Sequence, residues 1–137
     1  TLVILRTRIK NRIEVERNYG NIPEIPCSPG SINQVFMNIL ANATEAIKDH
    51  GRITISTGFN PKNEKQIRIV ISDTGYGIQS ENLNKVFEPF FTTKDVGKGT
   101  GLGLSISYKI VKDHRGEIIV SSEIGKGTTF TIFLPVN

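Results

Sequence analysis

The sequence predicts a single α+β domain. Strand-like runs occur in two pairs, RITISTGF with QIRIVISD and EIIVSSE with TTFTIFLP, and each pair flanks a polar or glycine-containing turn, as antiparallel hairpins do. Two further stretches carry apolar residues at helical spacing, one before each pair. The length of 137 residues is enough for one hydrophobic core, so no second folding unit is needed.

The first residues look like the end of an element that begins elsewhere. The chain opens on Thr1 rather than methionine, and Leu2, Leu5 and Ile9 fall at helical spacing. We interpret residues 1–12 as the tail of a helix from a preceding domain, although a helix packing on its own domain fits the spacing equally well. The domain itself, residues 13–137, then starts with IEVERNY, whose alternation is typical of a half-buried strand.

A long helix is predicted next. Prolines at positions 23, 26 and 29 break the preceding segment, and Ser31 is a residue type that caps helices, so we expect a helix from about Ile32 to about His50. Asn38, Asn42 and Glu45 are spaced so that three polar side chains share one face. The apolar stripe comprises Val35, Ile39, Ala43 and Ala46 or Ile47.

The remaining elements follow from the two pairs of strand-like runs. The first hairpin is predicted across NPKNEK, a loop longer than a tight turn, and it leaves Asp73 at the end of its second strand. A region rich in glycine and phenylalanine leads into a second helix, LGLSISYKIVKDH, which Gly116 ends. The second hairpin turns at IGKG and closes the sheet.

Composition limits the classes of partner. The formal charge is +4, but lysines and arginines are dispersed rather than grouped with aromatic residues, which argues against a nucleic-acid surface. No apolar run approaches the roughly 18 residues that span a bilayer, so this domain is predicted to make no membrane contact. Cys27 is the only cysteine and can form neither an internal disulfide nor a cysteine-based zinc site, which favours a reducing, cytoplasmic setting.

Two glycine-containing segments carry the chemical signal. Asp73-Thr-Gly-Tyr-Gly-Ile78 places a carboxylate at a strand end before two glycines, although such a pattern alone is also a common solvent-facing turn. Gly97-Lys-Gly-Thr-Gly-Leu-Gly-Leu104 has four glycines at alternate positions directly before a helix. Free backbone amides and the positive helix end together favour phosphate binding, whereas a flexible hinge would not need the helix. The spacing fits neither a Walker-type phosphate loop nor a dinucleotide fingerprint.

Five motifs occur in a fixed order between about Pro29 and Pro135. They are Asn38-Ile-Leu-Ala-Asn42-Ala, Asp73-Thr-Gly-Tyr-Gly, Phe87-Glu-Pro-Phe-Phe-Thr-Thr-Lys94, Gly99-Thr-Gly-Leu-Gly and Gly125-Lys-Gly-Thr-Thr-Phe130. In this order they resemble the N, G1, F, G2 and G3 boxes of the ATP-binding catalytic (GHKL) domain of two-component sensor histidine kinases. The resemblance implies the Bergerat fold, a two-layer α/β sandwich in which helices cover one face of a mixed, mostly antiparallel sheet.

The resemblance also implies how the adenine end of ATP would be held. Asp73 would accept a hydrogen bond from the adenine amino group, as suits a group that only accepts. Gly77 would give the base close backbone access, and Gly75 and Ile78 belong to the same motif. Thr128 would lie near the adenine, the alternative being a structural role in its strand. Phe87 would belong to a mobile lid, although Phe87, Phe90 and Phe91 are also typical core residues.

The phosphate end would be formed mainly by backbone amides. The residues assigned to it are Gly99, Thr100, Gly101, Leu102, Gly103 and Leu104. Lys94 and Lys98 could each reach a phosphate, or could be solvated loop lysines. Asn42 would bind Mg²⁺, and Asn38 would add a second metal or phosphate contact, the alternative being an exposed or helix-packed pair of asparagines. Asn38, Asn42 and Lys94 would form the catalytic set.

The residue at position 38 helps to distinguish ATP hydrolysis from transfer of the γ-phosphate to another group. In the hydrolysing relatives, which include Hsp90-type chaperones, type II topoisomerases and mismatch-repair ATPases, a glutamate four residues before the metal-binding asparagine activates water. This chain has Asn38 there, and an amide cannot accept the proton. The resemblance therefore implies transfer of the γ-phosphate to a histidine, with Mg²⁺ and the backbone amides offsetting the phosphate charge.

The acceptor histidine is predicted to lie outside this sequence. His50 and His114 lack the His-Glu or His-Asp setting of a phosphoacceptor helix, so we predict both to be structural or surface residues. The acceptor would belong to a separate dimerisation domain, to which residues 1–12 would lead. A response regulator would act downstream, and the isolated domain would be monomeric within a homodimeric protein, whether or not that protein is membrane-anchored.

Two other functions fit parts of the sequence. A GHKL-type ATPase that drives conformational change would need another base, for which Glu45 is the nearby candidate; Glu45-Ala46 stands where many family members have Lys-Tyr. A degenerate nucleotide sensor would need no catalysis, but all five motifs are present.

Overall fold

The computed structural model describes residues 13–20, 27–89, 91 and 103–136. Within these ranges the chain forms five strands, two α-helices and one 3₁₀ turn. They are β1 (Ile13–Tyr19), α1 (Pro29–Ala46), β2 (Gly51–Asn60), β3 (Asn63–Asp73), the 3₁₀ turn Ser80–Asn82, α2 (Gly103–Asp113), β4 (Glu117–Glu123) and β5 (Gly127–Pro135). The helix tail predicted at residues 1–12 lies outside them. No helix in the described part of the chain is long and apolar enough to cross a membrane.

The strands form one mixed sheet in the order β1-β2-β3-β5-β4. β1 pairs with β2 in parallel, and the other three pairings are antiparallel. β3 and β5 lie at the centre, so each is hydrogen-bonded on both sides. The predicted mixed and mostly antiparallel sheet is confirmed.

The core lies between this sheet and the two helices. Alternate residues of the central strands are buried, because successive side chains of a strand point to opposite faces. The core includes Ile67, Ile69 and Ile71 of β3 and Phe130, Ile132 and Leu134 of β5. They share a cluster with the predicted α1 stripe, Val35, Ile39, Ala43 and Ile47, and with Val111 of α2. The two-layer arrangement is therefore confirmed.

The predicted bounds of α1 were wrong at both ends. The helix begins at Pro29 with Ser28 as its N-cap residue, and the Ile32 N–H donates to the Ser28 carbonyl at 3.0 Å, so Ser31 lies inside the first turn. Proline suits this position because its ring presets a helical φ and its missing N–H is not needed there. The helix ends at Ala46 rather than near His50, because Ile47 is extended, with φ −95° and ψ 113°.

The first hairpin is tighter than predicted. β2 and β3 extend into the expected loop and leave only Pro61 and Lys62 between them. The Asn60 and Asn63 side chains accept hydrogen bonds from the Lys62 and Lys65 N–H groups, each at 3.0 Å. Such local side-chain to backbone bonds stabilise turns, and asparagine is well suited to form them.

The end of α2 also differs in detail from the prediction that Gly116 ends it. The last helical residue is Asp113, and Arg115 takes the left-handed conformation with φ 61°. The Gly116 N–H donates to the Val111 carbonyl and the Arg115 N–H to the Lys112 carbonyl, both at 2.9 Å. This is the Schellman pattern of hydrogen bonds, which turns the chain sharply into β4.

Candidate functional site

The candidate site lies where β3 ends, β5 begins and α1 finishes. Asp73 is the last residue of β3 and is paired with Thr128 at the start of β5. It follows Ile69 and Ile71 at alternate positions, which places it on the helix-covered face. The Tyr76 N–H donates to the Ala46 carbonyl at 3.1 Å, so the loop after Asp73 is anchored to the last turn of α1.

The Asp73 carboxylate is held by backbone groups. Its Oδ1 accepts the Gly75 N–H at 2.8 Å, and the Thr128 backbone N–H also hydrogen-bonds to the carboxylate. Burial raises the pKa of Asp73, and the two backbone hydrogen bonds partly oppose that effect. A carboxylate has about four lone-pair positions, so acceptor capacity remains for a donor on a ligand. The prediction of Asp73 at a strand end is confirmed; its contact with adenine stays a prediction.

The two glycines after Asp73 are packed against protein backbone. A Cβ on Gly75 would lie 2.6 Å from the Ala46 Cβ, so this glycine lets the loop approach α1. Gly77 has φ 83°, and a Cβ there would overlap the Glu123 carbonyl oxygen. The structure therefore gives both glycines a packing role beside the backbone access that the resemblance implies for Gly77.

A serine that the sequence analysis did not select joins three segments of the site. Ser122 of β4 accepts the Ile78 N–H at 2.7 Å and donates to the Gly127 carbonyl at 2.8 Å. Its hydroxyl also lies 2.9 Å from the Thr128 hydroxyl. Thr128 is 6% exposed, and Ile78 is half-buried. The register of the second hairpin, in which Ser122 faces Thr128, is the signal that could have identified this residue.

Asn38 links the two helices at the other end of the candidate site. Its Nδ2 donates to the Gly103 carbonyl at 2.9 Å and to the Ser107 hydroxyl at 3.1 Å. Its Oδ1 accepts from the Gln34 side chain at 2.9 Å. Ser107 is fully buried and also donates to the Gly103 carbonyl. The Asn38 Nδ2 therefore holds the start of α2, whereas Oδ1 is bound within α1 by Gln34. The sequence did not predict these contacts of Asn38, Gln34 or Ser107.

Asn42 follows Asn38 by one helical turn and lies on the same face of α1. Its side chain is half-buried, whereas Glu45 is exposed. In the ranges that the structure describes, no three histidine, cysteine, aspartate or glutamate residues are grouped as a metal site. The predicted metal roles of Asn38 and Asn42 stay predictions.

Phe87 is packed against the core. Its ring centroid lies 5.3 Å from that of Tyr108 in α2 and 6.3 Å from that of Phe130 in β5. Leu104, in the first turn of α2, is also partly buried against the core. The core alternative for Phe87 is thus confirmed, and its place in a lid stays a prediction.

Several predicted phosphate contacts lie outside the described residues. They are Lys94, Lys98, Gly99, Thr100, Gly101 and Leu102. Gly103, the last glycine of the motif, begins α2 and contacts Asn38.

The two histidines lie in different settings. His50 is exposed in the bend after α1. His114 Nε2 accepts the Ser28 N–H at 3.0 Å, which leaves Nδ1 to donate to the Ile110 carbonyl at 2.8 Å. This ring therefore ties the end of α2 to the start of α1, and the predicted structural and surface roles are confirmed.

Comparison with known proteins points to one family. Residues 27–137 match the model of the histidine kinase-, DNA gyrase B-, and HSP90-like ATPase family. Sporulation kinase E of Bacillus subtilis (strain 168) is 47% identical over 116 residues, which cover 85% of this chain and 15% of that protein. Signal transduction histidine-protein kinase AtoS of Escherichia coli (strain K12) is 40% identical over 139 residues, 100% of this chain and 22% of that protein.

Solved structures of histidine kinases are similar in fold to this chain. The mycobacterial sensor histidine kinase MprB superposes with a TM-score of 0.87 at 27% identity, covering 98% of this chain and 90% of that chain. The catalytic domain of histidine kinase ThkA, in a nucleotide-free form, gives 0.84 at 32% identity and covers 98% and 87%. Both the sequence and the fold match across nearly the whole chain.

Proposed function

Because the chain belongs to the histidine kinase-, DNA gyrase B-, and HSP90-like ATPase family, we propose that it binds ATP with Mg²⁺ and donates the γ-phosphate to a histidine on a separate dimerisation/phosphoacceptor domain. Residues 13–137 would form the ATP-binding unit, and residues 1–12 would lead to the acceptor domain. The chain spans 15% and 22% of the two kinases above, so kinase activity, homodimer formation and a downstream response regulator are proposed for a longer protein.

The main support for this proposal is the distance along α1 between the two points at which the other parts of the site are bonded to it. The Asp73 loop is fixed at Ala46, and the start of α2 is fixed at Asn38. The two anchors are eight positions apart along the helix, which is roughly 12 Å along the axis. That is the length scale of an extended nucleoside triphosphate from its base to its last phosphate. Asn42 lies midway and on the same face as Asn38.

At the Asp73 end, the site can recognise an adenine. The carboxylate is fixed by the Gly75 and Thr128 N–H groups, and its remaining lone pairs suit a donor such as an exocyclic amino group. Ala46, which holds the loop after Asp73, and Ile78, which follows in that loop, are apolar and half-buried, and we propose that they exclude water from the edges of a bound base.

At the Asn38 end, the site can hold phosphates. The first turn of α2 presents the positive end of the helix dipole, and backbone N–H groups at the start of a helix favour anions. The neutral oxygens of Asn42 and, second to it, Asn38 fit Mg²⁺, which commonly takes few protein ligands together with phosphate oxygens and water. We propose Asn42 as the main ligand and Asn38 as the second, in the order that the resemblance implies. When bound, Mg²⁺ would offset phosphate charge.

Transfer to a histidine is favoured over hydrolysis by the state of Asn38. Its Nδ2 donates to Gly103 and Ser107, so the amide orients α2 and carries no group that can take a proton from water. A nucleophile from another domain would have its own base. The ATPase alternative would need Glu45 to act instead, and Glu45 lies on the exposed side of the last turn of α1.

The proposal is tested by phosphotransfer in a mixture. The 137-residue chain, radiolabelled ATP and Mg²⁺ are combined with a candidate dimerisation domain. Acid-labile label is expected on the dimerisation domain, because phosphohistidine is lost in acid. Omitting Mg²⁺ or the dimerisation domain serves as the control, and neither mixture should yield labelled protein.

Two outcomes would contradict the proposal. Label on this chain itself would place the acceptor within it. ATP turnover without the dimerisation domain, abolished by Glu45→Gln, would support the hydrolytic alternative instead.

A further inference from the structure

Ser122 uses its full hydrogen-bonding capacity inside the candidate site. A serine hydroxyl has one proton to donate and two lone pairs to accept with. Ser122 donates its proton to the Gly127 carbonyl at 2.8 Å and accepts the Ile78 N–H at 2.7 Å. Its third contact, 2.9 Å from the Thr128 hydroxyl, must therefore be one in which Ser122 accepts and Thr128 donates.

This assignment determines what Thr128 can offer to a ligand. The proton of its hydroxyl is committed to Ser122, so Thr128 Oγ1 keeps only lone pairs. Thr128 is also the residue paired with Asp73 across β3 and β5, and its backbone N–H hydrogen-bonds to the Asp73 carboxylate. Two groups that can only accept hydrogen bonds thus belong to the same pair of facing residues.

We propose that Ser122 is a positioning residue that sets the base preference of the site by holding Thr128 as an acceptor beside Asp73. The inference rests on the proposed function, in which Asp73 receives the amino group of adenine. Guanine carries a carbonyl oxygen where adenine carries that amino group. An acceptor on the ligand would face the lone pairs of both Asp73 and Thr128, which disfavours guanine.

Ser122 acts through other groups rather than by touching the base. Its bond to Ile78 fixes the loop after Asp73, and its bond to Gly127 fixes the first residue of β5. The loop is held there by a further bond, from the Gly125 N–H to the Tyr76 carbonyl at 2.9 Å. Removing the Ser122 hydroxyl would free the Thr128 proton, so that Thr128 could donate to a carbonyl on a ligand.

The test compares ATP and GTP binding by calorimetry, each with Mg²⁺, in the 137-residue chain and its variants. Ser122→Ala is expected to lower the ATP-to-GTP affinity ratio by roughly fivefold, the effect of losing one hydrogen bond. Thr128→Val is expected to give a similar loss. The double variant should lose no more than the worse single variant, because both changes remove the same interaction.

Ser72→Ala is the matched control. Ser72 makes the same kind of hydroxyl–hydroxyl bond to Thr129, at 2.8 Å, one residue away on the opposite face of the sheet. The loss of this hydroxyl should leave the ATP-to-GTP affinity ratio unchanged. If Ser122→Ala does not fold, Ser122→Cys keeps the shape with a weaker hydrogen-bonding group and is expected to lower the ratio too.

A folded Ser122 variant with the wild-type ratio would overturn the inference while leaving the proposed function intact. Losses that multiply in the double variant would also overturn it, since Ser122 would then act independently of Thr128. A wild-type chain that binds neither nucleotide would overturn the proposed function, and this inference with it.

Discussion

Asp73 is placed where its charge is unfavourable for folding and useful for binding. The carboxylate is half-buried at the end of β3, and burial raises its pKa even though two backbone N–H groups stabilise the charged form. An exposed aspartate would fold more easily but would have to shed water before it could accept a ligand donor. The cost to stability is therefore consistent with a binding role at this residue.

The first prediction concerns the stability of Asp73→Asn. Because the folded-state pKa of Asp73 is raised, the contribution of this group to stability is fully present below its ordinary pKa of 3.8 and is lost as pH rises through the folded-state value. Asparagine carries no charge and still offers an oxygen to the Gly75 N–H. Asp73→Asn is therefore expected to unfold at a higher urea concentration than the wild type at pH 7.

The advantage of the variant should shrink as the pH falls and disappear below pH 3.8, where the wild-type carboxyl is protonated in both states. Urea unfolding at several pH values checks this. An Asp73→Asn chain that is less stable than wild type at pH 7 would show that the carboxylate has a net stabilising role instead.

At the scale of single elements, periodicity predicted which segments form and which faces are buried, but not where they end. The α1 stripe from Val35 to Ile47 was correct because it is set by burial against the sheet. The ends of a helix depend on which neighbouring residues cap or extend it, and the spacing of apolar residues does not reveal this. Ser28 and Pro29 start the helix before Ser31 can, and Ile47 becomes extended so that β2 can begin at Gly51.

The spacing of apolar residues also could not predict the contacts between the two helices. Asn38 and Gly103 are 65 positions apart, and their hydrogen bond exists only because α1 and α2 pack side by side on the same face of the sheet. The polar face of α1 was predicted, but its use for fixing α2 was not. That use leads to the next prediction.

Asn38→Asp should destabilise the pairing of α1 with α2. The change removes the Nδ2 donor and sets carboxylate lone pairs against the Gly103 carbonyl. We expect a cost of about 2 kcal/mol in urea unfolding at pH 7, in the range for losing a partly buried hydrogen-bonding group. The deficit should become smaller in acid, where a protonated carboxyl can donate again.

Asn84→Asp is the matched control, since it makes the same amide-to-acid change at an exposed residue outside both helices. Its cost should stay within about 0.5 kcal/mol. Equal costs for the two variants would mean that added charge, and not the contact with α2, accounts for the effect.

At the scale of the whole molecule, the candidate site contains residues from both the sheet and the helices that cover it. The sequence supplied Asp73, Asn38, Asn42, Gly103 and Thr128, since each lies in a motif with its own chemistry. Ser122 and Ser107 were missed, because the local sequence around each does not differ from that of an ordinary strand or helix. Their importance comes from the register of β4 with β5 and from the packing of α2 on α1, which are properties of the assembled fold.

A ligand that joins the two layers should stabilise the whole domain. At an ATP concentration of about one hundred times its Kd, with Mg²⁺, the free energy of unfolding should rise by about 2.7 kcal/mol. For a chain of this size the melting temperature should increase by roughly 8 °C. Asp73→Asn, which loses a hydrogen bond to a charged acceptor, should bind at least about tenfold more weakly and show about half that increase at the same ATP concentration.

Thermal unfolding, monitored by circular dichroism, checks this prediction. A second measurement replaces Mg²⁺ with EDTA. The shift should fall without the metal, because the phosphates then meet α2 with their charge uncompensated. An equal shift in the wild type and Asp73→Asn would mean that ATP is held through its phosphates alone. The base end of the site, and with it the role given to Ser122, would then have to be abandoned, whereas the role of Asn38 in fixing α2 would stand.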